Sequence, residues 1–315
     1  IFPLIRQRPF NKVADPKIIP RDIFISGYNT APISVNLQNI IEIKKDSFQT
    51  GLKVLSKLTK GKVYLTSEEP MDFDNIINTT ISGPHPAGNV GIQIHHINPL
   101  KPGDIVWTVN VQHVIMIGKL FQTGLYDSKI VVSIGGSGSS NPKLVEVLTG
   151  ASISSLVSDQ SLKKAVRLVS GDVLTGKAVT MDDYLGYYDS SLTIINDEVK
   201  RPFLGMLSIG SSSTKYSLTN TFLSSQSKEF DFTTSQNGEL RAMVPLNIWE
   251  NLLPMDIMPN PLYRAILAQD IEEMEQLGIW ECDDEDFALC SFACPSKIDI
   301  GSVIRDGLNL LENEG

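Results

Sequence analysis

The sequence predicts an α/β plus α+β chain: a parallel, three-layered α/β domain, a β-grasp-like domain and a C-terminal helical domain. Three observations carry this. Strand-like and helix-like segments alternate over about the first 125 residues, the order that builds a parallel sheet covered on both faces. From residue 129 the order changes to a hairpin, a short helix and further strands. Beyond residue 245 helical patterns dominate.

In the first part, "DIFISGY" (22–28) reads as a buried strand. "DSFQTGLKVLSKLTKG" (46–61) puts Phe48, Leu52, Leu55 and Leu58 on one helical face, with Gly61 as its stop. "KVYLTS" (62–67) is the next strand and "NTTISG" (78–83) a weaker one. "IVWTVN" (105–110) leads into a helix, "VQHVIMIGKLFQTG" (111–124), that ends at Gly124. "KIVVSIGG" (129–136) and "KLVEVLTG" (143–150) form a hairpin around a Ser/Gly/Asn turn. A short helix in 151–162 precedes strands at 165–171 and 191–197. "SIGSSSTKYS" (208–217) and "TTSQNGE" (233–239) read as loops or turns. "NPLYRAILAQDIEEMEQLG" (260–278) is one acidic amphipathic helix, and "IDIGSVIRDGLNLLENE" (298–314) closes the chain.

The 27 basic and 36 acidic residues give a net charge of −9, which argues against a nucleic-acid partner, whose phosphates favour a basic face. No apolar run approaches the roughly 20 residues of a membrane span. Three cysteines are an odd count without the spacing of a disulfide framework, which suggests a reducing cytoplasm. "IFPLIRQRPF" has neither an initiator Met nor a signal-peptide layout. It reads as the interior of a longer protein, a basic arm preceding the first strand.

A nucleotide-binding α/β domain needs a glycine-rich turn after its first strand, because backbone N–H groups must approach the phosphates. "SGYNTAPIS" offers one glycine, Gly27, and a proline, Pro32, so tight binding of FMN or NADH is not expected. "GGSGSSNPK" (135–143) lacks the ending of a phosphate loop and reads as a hairpin turn. The run Asp283, Asp284, Glu285, Asp286 reads as a solvated helix N-terminus, where negative charge is favoured. His95 and His96 are neighbours that point apart on a helix and cannot readily share one metal. "GPHPAG" fixes a backbone shape before a helix starting near Asn89, so His85, Pro86, Ala87 and Gly88 make a possible ligand-facing turn.

All three cysteines lie in "CDDEDFALCSFACPSK" (282–297). A four-iron cluster takes four thiolates, and its last ligand is often followed by proline. Cys294-Pro295 matches that ending, but Cys282, Cys290 and Cys294 have no fourth partner, and no histidine lies after His113 to complete a zinc tetrahedron. The segment reads as a cluster loop that has lost ligands: no metal, with the cysteines vestigial and packed as ordinary core.

Taken together, "RQRPFNK" (6–12), "GLKVLSKLTKGKVY" (51–64), "GPHPAGNVG" (83–91), "GKLFQTG" (118–124), "VSGDVLTG" (169–176), "NGELRAMVP" (237–245) and "DEDFALCSFACPSK" (284–297) resemble one family. It is the NqrA family, a component of the bacterial Na+-translocating NADH:quinone oxidoreductase. In architecture the chain also resembles the Rnf complex C subunit and the complex I flavin subunit. The resemblance implies a Rossmann-like α/β domain at 1–127, an SLBB (soluble-ligand-binding β-grasp) domain at 128–225 and a helical domain with a degenerate cluster loop at 226–315. It implies a missing N-terminal portion that includes a barrel-sandwich fold of the lipoyl/biotinyl type.

It also implies a peripheral subunit on the cytoplasmic face of the bacterial inner membrane, partnered with membrane subunits. Electrons pass in that complex from NADH to ubiquinone or menaquinone, with NADH and the flavins on other subunits. Relatives that carry FMN and a cluster use a glycine-rich loop and four cysteines, and this chain departs from both patterns. A quinone headgroup is an apolar ring with two carbonyl oxygens. Arg6, Arg8, Pro9 and Phe10 are therefore candidates to bind it: Phe10 stacks, Arg6 or Arg8 donates to a carbonyl, and Pro9 restricts the arm. A basic linker explains the same residues without a ligand. The competing function is a structural or ligand-binding module without a redox role; an independent NADH dehydrogenase would need the missing cofactor loop.

Overall fold

The computed structural model describes residues 1–162, 165–197, 216, 230–244 and 246–314. Six strands form the first sheet: β1 (Ile5–Arg8), β2 (Lys12–Val13), β3 (Ile23–Ser26), β4 (Val63–Ser67), β5 (Ile77–Thr80) and β6 (Val106–Asn110). Their order is β2-β1-β6-β3-β4-β5. The last four are mutually parallel, with Ile23 opposite both Val63 and Trp107. β1 runs antiparallel along β6, pairing Ile5 with Val109 and Arg8 with Val106.

Alternation along the strands supplies both faces. Ile23, Ile25, Val63, Leu65, Trp107 and Val109 belong to one core. That core also takes in Leu37, Ile40, Phe48, Leu52, Val111 and Val114 from helices α1 (Leu37–Ile43), α2 (Lys45–Leu55) and α4 (Val111–Thr123). Phe24, Tyr64 and Val106 point the other way, onto Ile94 of α3 (Val90–Ile97). Helices α2 and α4 meet at two glycines: a Cβ on Gly51 would lie 2.1 Å from the Val114 carbonyl oxygen, and one on Gly118 would lie 1.8 Å from that of Ser47.

The second sheet has the order β10-β9-β11-β7-β8. It comprises β7 (Lys129–Gly135), β8 (Lys143–Leu148), β9 (Val166–Ser170), β10 (Lys177–Val179) and β11 (Ser191–Asn196), with the short helix α5 (Ile153–Leu156) after the β7–β8 hairpin. β11 is parallel to β7 and antiparallel to β9. Gln112 of α4 ties the sheets together like an extra peptide group, donating to the Val131 carbonyl (2.9 Å) and accepting from the Val131 N–H (2.7 Å).

The C-terminal part comprises α6 (Ile248–Leu252), α7 (Pro259–Ala268), α8 (Ile271–Gln276), α9 (Ala288–Ala293) and α10 (Ile300–Glu314), with 3-10 turns at Ile279–Glu281 and Asp284–Phe287. It has its own core, in which Cys282, Cys290 and Cys294 are buried beside Trp249, Met274 and Phe287. Among the described residues no helix is long and apolar enough to cross a membrane.

Four expectations change. "RQR" (6–8) is not an arm before the first strand but most of β1, with Gln7 and Arg8 buried. Helix α2 stops at Leu55 rather than Gly61, and Gly61 serves a backbone crossing: a Cβ there would lie 1.9 Å from the Arg21 carbonyl oxygen. The single helix expected over 260–278 is two, because Gln269 turns left-handed (φ 57°) and the Asp270 side chain caps α8 at the Glu273 N–H. The acidic run lies only half in water, because Asp283 and Asp286 are buried beside Arg8 while Asp284 and Glu285 remain partly exposed. The loops expected over 208–217, and the boundary at 225–226, lie outside the described residues apart from Tyr216.

The α2–α4 crossing yields a first prediction. Gly118→Ala should destabilise the chain by roughly 1–3 kcal/mol, since the new methyl must displace backbone. Urea denaturation against the parent would read this, and an unchanged midpoint would refute the close crossing.

Candidate functional site

Ligands of open α/β sheets sit outside the carboxyl ends of the strands, and here the "GPHPAG" turn crosses that edge. The turn is bonded within itself, Ala87 N–H to the Pro84 carbonyl (3.0 Å) and Asn89 N–H to that of Pro86 (2.8 Å). Gly88 packs onto Thr30 so closely that a Cβ would lie 2.4 Å from the Thr30 nitrogen. A cavity opens on each side of the turn. His85 and Gly88 face one of about 360 Å³; His85, Pro86 and Ala87 face the other, of about 480 Å³. The four residues of the turn thus divide the two spaces, with His85 in both walls.

The first cavity lies over the ends of β3 and β6 and is charged. Arg6 enters it together with Asp172, Asp189 and Glu285. The Arg6 guanidinium lies 4.8 Å from the Tyr188 ring centre, and its Nε donates to Asn11 Oδ1 (3.0 Å). Burial raises the Asp189 carboxyl, against the hydrogen bond from Ser170. His113, whose Nδ1 donates to the Leu4 carbonyl (3.1 Å), is held at about 4 by burial and is neutral.

This cavity does not fit a phosphate-bearing flavin or nucleotide. After β3, the Gly27 N–H is bonded to the Thr66 carbonyl, Ala31 N–H to Asn29 Oδ1 and Ser34 N–H to the Ala31 carbonyl, while Pro32 has none to offer. Three carboxyl side chains then face the space where a phosphate would have to lie.

The second cavity lies over the ends of β4 and β5. Its walls are Ile81 and Pro86 on the turn side, Ile92 and Ile97 from α3, and Leu252 and Leu289 from the C-terminal helices. Among the described residues none that lines it is charged. Its polar groups are largely satisfied: Gln93 donates to Ser26 Oγ (3.0 Å) and the Gly88 carbonyl (3.1 Å) and accepts from Thr66, and His96 Nε2 donates to the Pro254 carbonyl (2.8 Å). His85 is the exception. Thr30 Oγ1 accepts from the Gly88 N–H (2.9 Å) and lies 3.2 Å from His85 Nδ1. Its own hydrogen is best spent on Nδ1, which leaves the imidazole hydrogen on Nε2. That buried Nε2–H has no partner among the described residues. Burial lowers His85, opposed by Asp172, so the ring is neutral.

Of the four residues expected to hold a quinone ring near the start of the chain, only Arg6 lines either of these two cavities. Pro9 is buried, and Phe10 packs on Trp280, ring centres 5.9 Å apart. Arg8 is 2% exposed and forms an ion pair with Asp283. Asp286 and Glu285 lie 3.5 and 3.8 Å from its guanidinium. Arg305 of α10 pairs with Asp283 and Asp284, and Asn11 Nδ2 donates to Asp283 Oδ2 (2.6 Å). Asp283 and Asp286 are buried, 0% and 1% exposed, while the Asp284 and Glu285 side chains stay 47% and 38% exposed. Burial raises Asp283, Glu285 and Asp286, and their mutual repulsion adds to it, while Arg8 opposes. Burial would lower Arg8, but Asp283 and Asp286 hold it above its usual value.

The cysteines do not form a ligand set. Cys282 Sγ points to the Gly278 carbonyl (3.6 Å) and Cys290 Sγ to that of Trp249 (3.8 Å). Burial pushes Cys282 well up and Cys290 up to about 12, as for thiols packed in an apolar core. Among the described residues no three His, Cys, Asp or Glu side chains are placed to hold a metal ion.

Sequence reasoning passes over Thr30, Ile92 and Leu289, and places Asp286 in water. The one available signal is an acidic run set directly between two core residues, Cys282 and Phe287.

Arg8→Ala should cost about 3–5 kcal/mol of stability near pH 7, the range for leaving a buried charge unpaired. Its carboxylates escape the penalty by protonating, so the loss should shrink towards pH 5. Denaturation at the two pH values measures it; a loss under about 1 kcal/mol at both would contradict the buried pair.

Residues 1–126 match the family model described as "NqrA second alpha/beta domain", and residues 131–181 the one described as "NQRA C-terminal domain". A solved NAD+-reducing [NiFe]-hydrogenase in the H2-reduced state gives a TM-score of 0.43 at 11% identity, covering 58% of this chain and 41% of its own, too distant to carry an argument. Three curated relatives are each the NqrA component of a Na(+)-translocating NADH-quinone reductase. The protein of Hahella chejuensis is 38% identical over 319 residues, covering 99% of this chain and 71% of the relative. That of Pasteurella multocida is 39% identical over 322 residues, covering 100% and 72%. That of Shewanella amazonensis is 40% identical over 316 residues, covering 99% and 71%. At this identity and coverage, the chain belongs to the NqrA family of Na(+)-translocating NADH-quinone reductase subunits.

Proposed function

We propose that this chain is a peripheral subunit on the cytoplasmic face of a membrane-bound Na+-translocating NADH-quinone reductase, and that the cavity beside His85 receives a quinone headgroup. Its partners are then the membrane subunits of that complex. NADH and the flavins belong to other subunits, and this chain carries neither flavin nor iron–sulfur cluster. The division is into domains 1–127, 128–225 and 226–315.

The observation that supports the quinone reading is the pairing of an uncharged, mainly apolar cavity with one buried hydrogen-bond donor, His85 Nε2–H, that has no acceptor among the described residues. A quinone ring is uncharged and apolar, and its carbonyl oxygen is the acceptor that donor lacks. An unmet buried donor costs about 1–3 kcal/mol, which a carbonyl would recover on binding. As the ring gains electrons its oxygen gains negative charge, and the same hydrogen bond becomes charge-assisted and stronger. The volume, about 480 Å³, lies within the usual range of about 300–1,000 Å³ for small-molecule pockets.

In this reading Arg6 serves the first cavity, while Arg8, Pro9 and Phe10 support the site from behind by seating the C-terminal helices. A purely structural subunit is the competing reading, and the buried Arg8 pairs favour it as far as they go, because they dock one part of the chain on another.

The test is a titration of the chain with a tail-less ubiquinone analogue, with FMN and NADH in parallel. His85→Ala should weaken quinone binding about five- to thirty-fold, or about 1–2 kcal/mol, with stability unchanged. No quinone binding by the parent chain would leave the structural reading. Micromolar binding of FMN would show that the first cavity had been misjudged.

A further inference from the structure

The cavity beside His85 is walled by α3 on one side and the C-terminal helices on the other, and the carboxyl cluster around Arg8 clamps the two together. Gly91 and Ile92 are consecutive in α3. Ile92 lines the cavity, and at Gly91 a Cβ would fall 2.0 Å from Asp286 Oδ2 and 2.7 Å from the Arg8 guanidinium. Asp286 precedes by three residues Leu289 of α9, which lines the facing wall. The spacing of the walls is thus set where Asp286 meets Gly91.

The charges there do not balance. Four carboxyl groups, Asp283 to Asp286, face two guanidinium groups, Arg8 from β1 and Arg305 from α10, and Arg305 is engaged by Asp283 and Asp284. From α3 comes no charge: Gly91 faces the cluster, and the N-terminal Asn89 gives its amide to the Glu285 carbonyl (3.0 Å). The remaining neighbours are the Cys282 and Cys290 thiols and Asp172, which adds repulsion at Glu285. Arg6 reaches the cluster only through Asn11. Asp286 is 1% exposed and 3.5 Å from Arg8, and neither of its oxygens accepts a hydrogen bond among the described residues. A dry carboxyl group so placed favours its neutral form.

We propose that this cluster regulates the cavity: a proton held among Asp283, Glu285 and Asp286 seats α9 against α3 and closes the wall around the ligand, and loss of that proton relaxes it. The effect on binding rests on the quinone reading above; the clamp itself does not. The sign follows from linkage. All three groups are raised to about 7 in the folded chain. They therefore favour the closed packing at low pH, and that contribution is lost as pH rises through about 7. Opposite the clamp, His95 Nδ1 meets Glu281 (2.8 Å) and His96 meets the Pro254 carbonyl. The decisive comparison is therefore wild type against Asp286→Asn at each pH.

Amide hydrogen exchange over residues 288–293 of the full chain, corrected for the intrinsic rate, reads the clamp. Between about pH 6 and pH 8 the wild type should lose protection about tenfold, while Asp286→Asn stays at the protected level throughout. The affinity for a tail-less ubiquinone analogue should fall several-fold over the same range in the wild type and stay flat in Asp286→Asn. If Asp286→Asn does not fold, Glu285→Gln on the half-exposed rim should remove part of the same dependence. The same pH dependence of exchange in wild type and variant overturns the proposal. Exchange as expected, without quinone binding at any pH, keeps the clamp and overturns the assignment of the cavity.

Discussion

The guanidinium of Arg8 lies where almost no water reaches it, on a strand near the margin of the first sheet, and the seating of the C-terminal helices on that sheet answers to its burial. A lone buried charge carries a desolvation penalty of several kcal/mol, and no group within its own strand can offset it. The compensating carboxylates come from residues 283–286. The first sheet and the C-terminal helices are therefore bound by an electrostatic requirement as well as by apolar contact. Arg305 extends the obligation into α10, where it also donates to the Phe10 carbonyl (3.0 Å). Removing the C-terminal helices would leave β1 with an unpaired charge, and removing β1 would leave a nest of repelling acids.

Where backbones cross closely, glycine is the condition. Gly91 admits Asp286, Gly88 admits Thr30, and Gly51 with Gly118 brings α2 against α4. Two of these four positions bear on the candidate site. Gly88 fixes Thr30 beside His85 and so settles which imidazole nitrogen is left over. Gly91 sets how near the C-terminal wall comes to α3. The shape of the cavity is to that extent written in missing side chains.

Those features divide what the sequence discloses from what it does not. Strands buried on both faces announce themselves as apolar runs, and "IVWTVN" and "KVYLTS" are legible for that reason. The "GPHPAG" turn is legible too, since prolines and glycines limit the backbone locally. Arg8 is not, because its partners lie some 275 positions away and a basic segment out of context looks like a solvated arm. The acidic run misleads from the other end of the same pairing. The break at Gln269–Asp270 is hidden because an amphipathic period continues across it, although Asp270 is a fair N-cap. His85 can be named as a candidate, but its unspent hydrogen depends on Thr30 and Gly88.

Chemistry at the edge of the first sheet also explains why this α/β domain need not be a nucleotide site. From β3 the chain passes outward to β4 and β5 and then returns to β6 on the other side, so the strand order reverses between β3 and β6. That crevice is where such sheets usually hold phosphates. Here it carries Asp172, Asp189 and Glu285, and the N–H groups of Gly27, Ala31 and Ser34 in the adjoining loop are committed internally. The uncharged space lies beyond the turn, over β4 and β5. On the quinone reading, converting the domain from anionic to neutral ligands requires no change in the sheet. It requires only that acidic side chains occupy the crevice and that a turn place one neutral donor over the neighbouring strands.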